Sequence, residues 1–317
     1  MRALVFTRPG DVELREEPAP VAGPGEALIH VRSSGICGSD LHGFWHVGMR
    51  KPPLIMGHEF AGADADGSRV VINPLLTCGT CAACLRGHSS VCANRQLIGV
   101  NRAGGFAEQV AVPTSALHRL PDGLPWVSAA LIEPLANSVH ALDLLGDPQG
   151  SLGIVGAGSI GLLTFLVARS RGYDVVLAEP SDVRRDTAQR LGATVVPHLG
   201  SVDREFDVTI DAVGSTESRR SALERLSSRG TSVWIGLAEA DSTIGANDIV
   251  RSEKRVVGSF AYTDDEFAHA VTLVSTLDLT WVTPIPMAES ERTFLELARG
   301  RSDIIKAVLD LCEQGDR

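Results

Sequence analysis

Aromatic residues and positive charge are both scarce in this chain of 317 residues. There are nine Phe, four Trp and two Tyr residues, and 39 Asp and Glu residues outnumber 29 Lys and Arg residues, for a net charge of −10. A protein that binds nucleic acid needs a basic face for the phosphates and commonly stacks bases on aromatic rings. We therefore expect no nucleic-acid partner.

The sequence also lacks a segment typical of a membrane span or a signal peptide. One uncharged stretch at 151–168 approaches the length of a span, but its glycines favour a buried strand, turn and helix. The first residues, MRALVFTRPG, have neither an apolar core nor a small-residue cleavage site. We expect a cytoplasmic protein with no membrane partner, in which the six cysteines serve metal binding or catalysis rather than disulfides.

Length and pattern together predict two domains of different character. The chain is about twice as long as a usual single domain, and its first part alternates short β-like runs with glycine- and proline-rich turns. From Ser138 strands alternate with helices, which predicts parallel βαβ units. The predicted elements are strands at Leu152–Val155, Val175–Glu179, Val208–Asp211 and Ser232–Gly236, helices at Ser159–Arg171, Val183–Leu191, Asp264–Thr276 and Ser290–Leu297, and a last strand at Ile304–Leu309.

Four cysteines stand close together in TCGTCAACLRGHSSVC, with the spacing C-x2-C-x2-C-x7-C. Closely spaced thiolates can wrap a tetrahedral zinc ion, and four of them leave no position for water, so such a site is structural. The alternatives are an iron–sulfur cluster, unligated cysteines, or a zinc site in which His88 replaces one thiolate. The predicted ligands of the structural zinc are Cys78, Cys81, Cys84 and Cys92.

A glycine-rich segment with the pattern G-x-G-x-x-G follows one predicted strand and leads into a predicted helix. The first glycine permits a tight turn, the second lets the backbone approach a pyrophosphate, and the third lets helix and strand pack closely. Glu179 ends the next strand, where a carboxylate can accept both hydroxyls of a ribose. A glycine-rich turn of an unrelated doubly wound domain is the alternative. The predicted contacts to a dinucleotide are Gly156, Gly158, Ser159, Ile160, Gly161 and Glu179.

Glu179 also bears on the choice of cofactor. A carboxylate at this position would face a 2′-phosphate of like charge, which favours NAD over NADP. Arg184 and Arg185 point the other way, because an arginine can accommodate that phosphate, although both are equally ordinary at the solvated start of a helix. We predict NAD.

A second metal site is predicted outside the cysteine loop, from Cys37 in GICGSDLH and His58 in GHEF. A catalytic zinc ion takes three protein ligands and keeps one position open, and a carboxylate must supply the third ligand because the one remaining cysteine, Cys312, lies near the C-terminus. Neighbours on an extended chain point to opposite sides, so His58 and Glu59 can share an ion only at a bend. This favours Glu133, with Glu59 close behind the metal or exchanging with it.

These segments together resemble the zinc-dependent medium-chain dehydrogenases, and within them the polyol branch that includes sorbitol and idonate dehydrogenases. The match runs nearly from end to end and is carried by GICGSDLH, GHEF, the four-cysteine loop, GGFAE, LIEPLANSVHA, GIVGAGSIG, the end of the Glu179 strand, RSEKRVVGSFAYTDDEF and DIIKAVL. Relatives usually have a longer stretch after GHEF, whereas AGADADGSRVV is short here, so we expect a reshaped outer rim with no ligand lost.

The resemblance implies the fold class α/β plus mostly-β. A GroES-like catalytic domain at 1–137, which carries the zinc loop at 78–92, would be completed by the C-terminal part at 263–317. A Rossmann NAD-binding domain with a doubly wound parallel sheet, at 138–262, would be inserted between them. Family members are commonly dimers or tetramers, so we expect a homo-oligomer.

The resemblance also assigns roles to the residues of the second metal site. It implies a catalytic zinc ion on Cys37 and His58 with an acidic third ligand, and it places both Glu59 and Glu133 in or beside the coordination sphere. Asp40 would orient His58. Glu133 in place of a cysteine separates polyol-type members from ethanol-type ones.

A proton relay and two further cofactor contacts are implied in the same way. Ser39 and His42 would carry the proton of the alcohol away from the metal. Arg184 and Lys306 fall where relatives have cations that contact the cofactor. The implied reaction transfers hydride between a secondary alcohol and NAD(P), with two zinc ions per chain.

Three other classes of protein fit the sequence less well than this one. A metal-free quinone or enoyl reductase would lack Cys37, His58 and Glu133, a methyltransferase would not explain two zinc sites, and a non-catalytic family member would have no need of the Ser39–His42 pair. The partner is a small alcohol or ketone. Sugar alcohols, amino-cyclitols, aldonates and threonine-like amino alcohols all suit the scaffold, and the last of these makes a threonine-type dehydrogenase the alternative.

Overall fold

A computed structural model describes residues 1–146 and 150–312. The chain forms two compact units, the first made of Met1–Glu133 with Thr263–Arg317 and the second of Pro134–Tyr262. The first unit thus combines both ends of the chain. Its boundary falls after residue 133, where the sequence predicted 137.

The N-terminal part of the first unit consists mainly of strands, because β-branched and apolar residues alternate with polar ones between frequent turns. Its strands are β1 (Arg2–Arg8), β2 (Asp11–Glu16), β3 (Glu26–Gly35), β4 (Leu54–Ile55), β5 (Glu59–Ala63), β6 (Arg69–Ile72), β7 (Leu75–Leu76), β8 (Gln96–Leu97), β9 (Gln109–Pro113) and β10 (Leu117–Arg119). Its helices are α1 (Gly38–Gly43), α2 (Ala82–Leu85) and α3 (Trp126–Ala129), and α4 (Ile132–Asp143) follows.

The second unit alternates strands and helices as its sequence predicts. Its strands are β11 (Ser151–Val155), β12 (Asp174–Ala178), β13 (Thr194–Val196), β14 (Phe206–Asp211), β15 (Leu226–Trp234) and β16 (Arg255–Gly258). Its helices are α5 (Ser159–Ser170), α6 (Asp182–Arg190), α7 (Thr216–Glu224) and α8 (Ala246–Arg251). The strands pair in parallel in the order β13-β12-β11-β14-β15-β16, which is the strand order of a dinucleotide-binding doubly wound sheet.

The C-terminal part returns to the first unit with α9 (Asp264–Leu273), β17 (Val282–Pro286), α10 (Ser290–Ala298) and β18 (Lys306–Asp310). The main sheet of this unit has the order β10-β6-β5-β3-β18-β17, and β9 also pairs with β3. β18 therefore lies between β3 and β17, antiparallel to the first and parallel to the second. A smaller sheet, β2-β1-β4, contributes to the same unit.

The core of the first unit is apolar and rich in phenylalanine. Phe44 lies with its ring centroid 6.3 Å from Phe6 and 5.3 Å from Phe294, and Phe106 lies 6.3 Å from Phe294. All four rings are fully buried. Phe44 is the C-cap residue of α1, so this cluster anchors the end of the helix that carries Ser39 and His42.

The short segment after GHEF forms a tight turn between β5 and β6. Asp64 accepts hydrogen bonds at its side chain from the N–H groups of Asp66 and Ser68, and its own N–H donates to the Ser68 carbonyl at 3.0 Å. An aspartate that bonds its own backbone two residues ahead is typical of such turns. None of the helices in residues 1–146 and 150–312 combines the length and hydrophobicity that a bilayer span requires.

Candidate functional site

Four cysteine sulfurs converge in the loop between β7 and β8. The Sγ–Sγ distances are 3.5 Å for Cys78 and Cys92, 3.6 Å for Cys81 and Cys84, and 3.9 Å for Cys81 and Cys92. Four sulfurs at about 2.3 Å from a central zinc ion would stand ~3.8 Å apart in a tetrahedron. The loop therefore fits one zinc ion with four thiolate ligands, and His88 is not part of the group.

The backbone around the first of these cysteines favours its thiolate. The N–H and hydroxyl of Thr80, followed by the N–H of Cys81, lower the pKa of the Cys78 thiol to about 5. A thiolate is the form that binds metal, so this part of the loop is prepared for an ion at neutral pH.

A second group of ligand atoms lies where β3 and β5 pair. Gly35 at the end of β3 is opposite Glu59 at the start of β5, so the residues that follow Gly35 run beside those that precede Glu59. This antiparallel register brings Cys37 next to His58. Ligand atoms of Cys37, His58 and Glu59 all lie within 4.8 Å of one another, and the two latter side chains are buried.

The chain bends just before His58, which is the condition under which His58 and Glu59 can share an ion. Gly57 has a φ of +91°, and a Cβ atom there would lie 2.4 Å from the ring of Phe106. Glu133 is buried in the first turn of α4 and is not one of the described residues that form the group. The geometry thus favours Glu59 as the third ligand, and the roles of both glutamates remain predictions.

One buried carboxylate organises the ligands from behind. Asp40 Oδ1 lies 3.4 Å from His58 Nδ1 and accepts a 2.8 Å hydrogen bond from Arg50, while Oδ2 accepts from the N–H of Cys37 at 3.3 Å. Burial acts to lower the pKa of the His58 imidazole, but the charges of Asp40 and Cys37 outweigh it and raise that pKa well above its usual value. Because Nδ1 faces Asp40, Nε2 is the His58 ring atom that could bind a metal.

Sequence reasoning placed Asp40 correctly beside His58 but missed Arg50. No spacing marks Arg50, which sits in the polar run MRKPP and would be expected at the surface. Its side chain is nevertheless buried, with 7% of its surface exposed. The feature that distinguishes Arg50 is its burial, and the sequence does not reveal burial.

Lys306 contacts Glu59, one of the three residues of the second metal group. The Lys306 ammonium forms an ion pair with Glu59 Oε2 and donates to the Ile36 carbonyl at 3.1 Å, and both charged side chains are almost completely buried. The structure therefore shows Lys306 contacting a candidate metal ligand. Its predicted contact with the cofactor remains a prediction.

Ser39 and His42 lie three positions apart on α1, so they share one face of that helix. Both are exposed, and the Ser39 hydroxyl accepts a 3.3 Å hydrogen bond from Arg50 Nη2. Because α1 begins directly after Cys37, the two side chains belong to the same local segment as a metal ligand. The predicted role of this pair in a proton relay remains a prediction.

The glycine-rich segment forms the turn between β11 and α5 in the second unit. Gly156 has a φ of +100°, Gly158 precedes the first residue of α5, and a Cβ atom on Gly161 would lie 1.8 Å from the carbonyl oxygen of Gly156. Ser159 and Ile160 form the first turn of the helix. The N–H groups at the start of a helix are suited to bind a pyrophosphate.

Glu179 lies beside this turn and braces it. Its two carboxylate oxygens accept hydrogen bonds from the N–H groups of Ala157, at 2.8 Å, and Ser181, at 2.9 Å. Arg184 lies next to the turn, with Nη1 4.0 Å from where a Cβ of Gly158 would be. Arg185 instead donates to the carbonyls of Glu179 and Pro180. The predicted ribose contacts of Glu179 would add to bonds that it already makes.

Comparison with known proteins supports both halves of this description. Residues 23–122 match the family model of the alcohol dehydrogenase GroES-like domain, and residues 159–276 match that of the zinc-binding dehydrogenases. The chain is 36% identical to L-threonine 3-dehydrogenase of Pyrococcus horikoshii over 79% of its own length and 80% of that protein. It is 30% identical to L-galactonate-5-dehydrogenase of Escherichia coli over 98% of both chains.

A solved structure gives the same result for the fold. A Sinorhizobium meliloti 1021 protein in complex with NADP matches with a TM-score of 0.90 and 29% identity, over 98% of each chain. The predicted fold class, a GroES-like domain with an inserted Rossmann domain, is confirmed by this match and by the family models. Zinc and a nicotinamide cofactor are confirmed as the groups with which such proteins work.

The zinc ligands exclude a methyltransferase, which shares only the glycine-rich turn, and the Cys37–His58–Glu59 group has no use in a metal-free reductase. With both domain matches in one chain and relatives of 30% identity or more along most of its length, the protein belongs to the zinc-dependent medium-chain alcohol and polyol dehydrogenases, enzymes that move hydride between an alcohol and NAD(P).

Proposed function

We propose that this enzyme oxidises a secondary alcohol whose neighbouring carbons carry polar groups, such as a polyol, a cyclitol or a sugar acid. The observation that carries the proposal is the Cys37–His58–Glu59 group, which offers three ligands to an ion and leaves a fourth position for substrate. The names of the relatives support the substrate class. The 3-hydroxyl of threonine and the 5-hydroxyl of galactonate are both secondary alcohols with a polar group on an adjacent carbon.

We assign two zinc ions to each chain, one on the cysteine loop and one on the second group. When bound, the second ion supplies Lewis-acid chemistry that lowers the pKa of an alcohol oxygen, and the nicotinamide accepts the hydride. Cys37, His58 and Glu59 would hold that ion, and Asp40 keeps the His58 ring in the orientation that leaves Nε2 free.

The chain itself would handle the proton. Ser39 Oγ would accept the proton of the substrate hydroxyl while its own hydroxyl proton passes on, and His42, exposed on the same face of α1, would release a proton to solvent. The hydrogen bond from Arg50 restricts the Ser39 side chain to one direction. We expect His42→Ala to slow turnover more at about pH 7 than at about pH 10, because hydroxide can take the proton in place of the imidazole at high pH, and a pH profile of kcat measures the difference.

For the cofactor we propose NAD over NADP. The Glu179 carboxylate stands beside the glycine turn, where it would repel a 2′-phosphate. The guanidinium of Arg184, which lies next to the glycine turn, is the feature that argues for NADP. Steady-state kcat/KM for NAD and NADP, measured in parallel with one substrate, decides the question, and a higher value for NADP would contradict the proposal.

The metal assignment is tested by Cys37→Ser, with Cys312→Ser as the matched control. Cys312 is half-buried and belongs to neither group of ligands. We expect wild type and Cys312→Ser to contain two zinc ions by mass spectrometry and to be active across a panel of polyols. Cys37→Ser should keep its fold, hold one zinc ion and lose turnover; normal turnover would overturn the assignment.

A threonine-type amino-alcohol dehydrogenase is the second candidate, because the Pyrococcus relative is an L-threonine 3-dehydrogenase. The same substrate panel separates the two, since threonine would then exceed every polyol in kcat/KM. We also propose a homo-oligomer, a dimer or tetramer, by analogy with the family. Light scattering of the purified protein tests this, and a monomer would contradict it.

A further inference from the structure

Arg50 connects two groups that belong to different parts of the proposed chemistry. Its Nη2 atom donates to Asp40 Oδ1 at 2.8 Å and to Ser39 Oγ at 3.3 Å. Asp40 faces the candidate zinc ligand His58, and Ser39 is the first member of the proposed proton relay. One guanidinium therefore touches both the support of the metal site and the relay.

We infer that Arg50 is a positioning residue. It fixes Asp40 behind His58, and it fixes Ser39 on the face of α1 that also carries His42. The inference rests on the proposed function for the role of Ser39. It extends that function to a residue that touches neither the ligand group nor the glycine turn.

The burial of Arg50 shows that the contact is not incidental. Only 7% of its side chain is exposed, and Asp40 is fully buried. Its Nε atom is buried and has no hydrogen-bond partner in the part of the chain that the structure describes. A guanidinium with an unsatisfied donor is costly to bury, so the bonds to Asp40 and Ser39 must offset that cost.

The fold leaves a space for this side chain at one glycine. A Cβ atom on Gly43, the last residue of α1, would lie 2.6 Å from Arg50 Nη1 and 3.2 Å from its Cδ. Gly43 does not have a positive φ, and the three atoms nearest to that Cβ all belong to Arg50, so an alanine here would have to displace the Arg50 side chain. The end of α1 and the Arg50 side chain therefore fit together as a pair.

The consequence for His58 follows from the shared carboxylate. Asp40 Oδ1 must face both Arg50 and the Nδ1 atom of His58, and its Oδ2 faces the N–H of Cys37. Without Arg50 the carboxylate would lose its shortest hydrogen bond and could rotate away from His58. The ring would then lose the partner that selects its orientation, which weakens metal binding.

The test compares Arg50→Gln with Arg119→Gln, an exposed arginine of the same unit. The rate of zinc release to a chromogenic chelator is measured without substrate or cofactor, and the ion of interest is identified as the one missing from Cys37→Ser. We expect Arg50→Gln to release this ion about 10-fold faster or more, and to lose about 10- to 100-fold in kcat. The KM for NAD should stay within about twofold, because Arg50 lies in the first unit.

Two further variants separate positioning from simple stability. Arg50→Lys keeps a cation beside Asp40 and should recover part of both the zinc retention and kcat. Gly43→Ala keeps Arg50 but displaces its guanidinium, so it should change both quantities in the same direction as Arg50→Gln. Gly48→Ala, at an exposed position with open space around its Cβ, is the control and should match wild type.

An Arg50→Gln protein that folds and keeps zinc release and kcat within about twofold of wild type would overturn the inference. If Arg50→Gln does not fold, Gly43→Ala decides by the same two measurements. Zinc release needs no turnover, so failure to oxidise any alcohol would defeat the proposed function while leaving this inference open to its own result.

Discussion

At the scale of single residues, the Glu59 carboxylate has two possible cationic partners. In the structure it pairs with the Lys306 ammonium, and its proximity to Cys37 and His58 makes it a candidate ligand for zinc. A carboxylate has two oxygens and can serve a cation on each side. Lys306 can thus hold Glu59 in place while the other oxygen faces the metal.

Removing the lysine should expose how strongly the fold depends on this pair. We expect Lys306→Met to lower the free energy of unfolding by about 3–5 kcal/mol, because it leaves a buried carboxylate without its partner. The double variant Lys306→Met/Glu59→Gln should recover at least half of that loss. Urea denaturation followed by circular dichroism measures both.

The exposed Lys51 provides the control, and Lys51→Met should stay within about 0.5 kcal/mol of wild type. A Lys306→Met protein as stable as Lys51→Met would show that Glu59 already has another partner of equal strength.

Residues whose chemistry is local could be predicted, whereas those defined by distant pairing could not. The cysteine loop and the Cys37–His58 pair follow from spacing and from the adjacent motifs. The Lys306–Glu59 pair joins residues 247 positions apart, and only the insertion of β18 beside β3 brings them together. The role of Arg50 depends in the same way on burial, which composition does not reveal.

At the scale of elements, the turn between β11 and α5 depends on a close approach of backbone to backbone. A methyl group on Gly161 would lie 1.8 Å from the Gly156 carbonyl oxygen, a contact that no rotamer can relieve. We expect Gly161→Ala to raise the Kd for NADH at least about tenfold, since α5 can no longer start where the phosphates need its N–H groups.

Fluorescence titration with NADH measures this effect. Gly258→Ala is the matched control in the same unit, because a Cβ there meets nothing within 4 Å. Both variants should retain two zinc ions. Unchanged NADH affinity in Gly161→Ala would mean that the turn is not part of the cofactor site.

The ion pair between Arg102 and Glu26 leads to a prediction about how stability depends on pH. Arg102 donates to Glu26, at the start of β3, and to the carbonyl of Ala111 in β9. The hydrogen bond from Arg102 and then the N–H of Gly23 lower the pKa of Glu26 below its usual value. A lowered folded-state pKa gives stability above the unfolded pKa of about 4.3, and that stability is lost as pH falls through the folded value.

Arg102→Gln should therefore be less stable than wild type at pH 7, and the difference should shrink below about pH 4. Urea midpoints at a series of pH values measure the difference. Arg299→Gln, at an exposed position of the same unit, should show no such convergence. A difference that stays constant from pH 7 to pH 3 would contradict the role of the Glu26 charge.

Most interior elements of the second unit were predicted closely and its edge strands were not, and the exception is the interior strand β15, predicted at Ser232–Gly236 and observed at Leu226–Trp234. The predicted strand Leu152–Val155 is observed as Ser151–Val155, and the predicted helix Ser159–Arg171 as Ser159–Ser170. β13 and β16 were missed because both are short strands at the two edges of the sheet, and short edge strands carry little hydrophobic pattern. A helix between β14 and β15 was expected without bounds, because α7 is polar over most of its length and is set by a serine cap at its start.

At the scale of the whole molecule, the two units should respond to different ligands. The cysteine loop belongs to the first unit and the glycine turn to the second. A structural zinc ion contributes directly to folding, and any ligand stabilises the unit that binds it. Calorimetry should thus show two transitions that can be moved independently.

We expect chelation of zinc to lower the first unit's transition by several degrees and NADH to raise the second unit's. Trypsin identifies the units, since Arg86 is exposed within the cysteine loop and should be cut only after zinc is removed. Equal shifts of both transitions by either treatment would mean that the molecule unfolds as a single cooperative body.

The position of β18 has a consequence for synthesis on the ribosome. Ile36 and Lys306 are separated by 270 positions, so at about 5–20 residues per second roughly 15 to 55 s pass between their translation. Throughout that interval the nascent chain holds the end of β3 without its neighbour, and an unpaired strand edge invites aggregation. The parallel sheet of the second unit is complete well before β18 is translated. The first unit therefore begins to be synthesised first and is completed last.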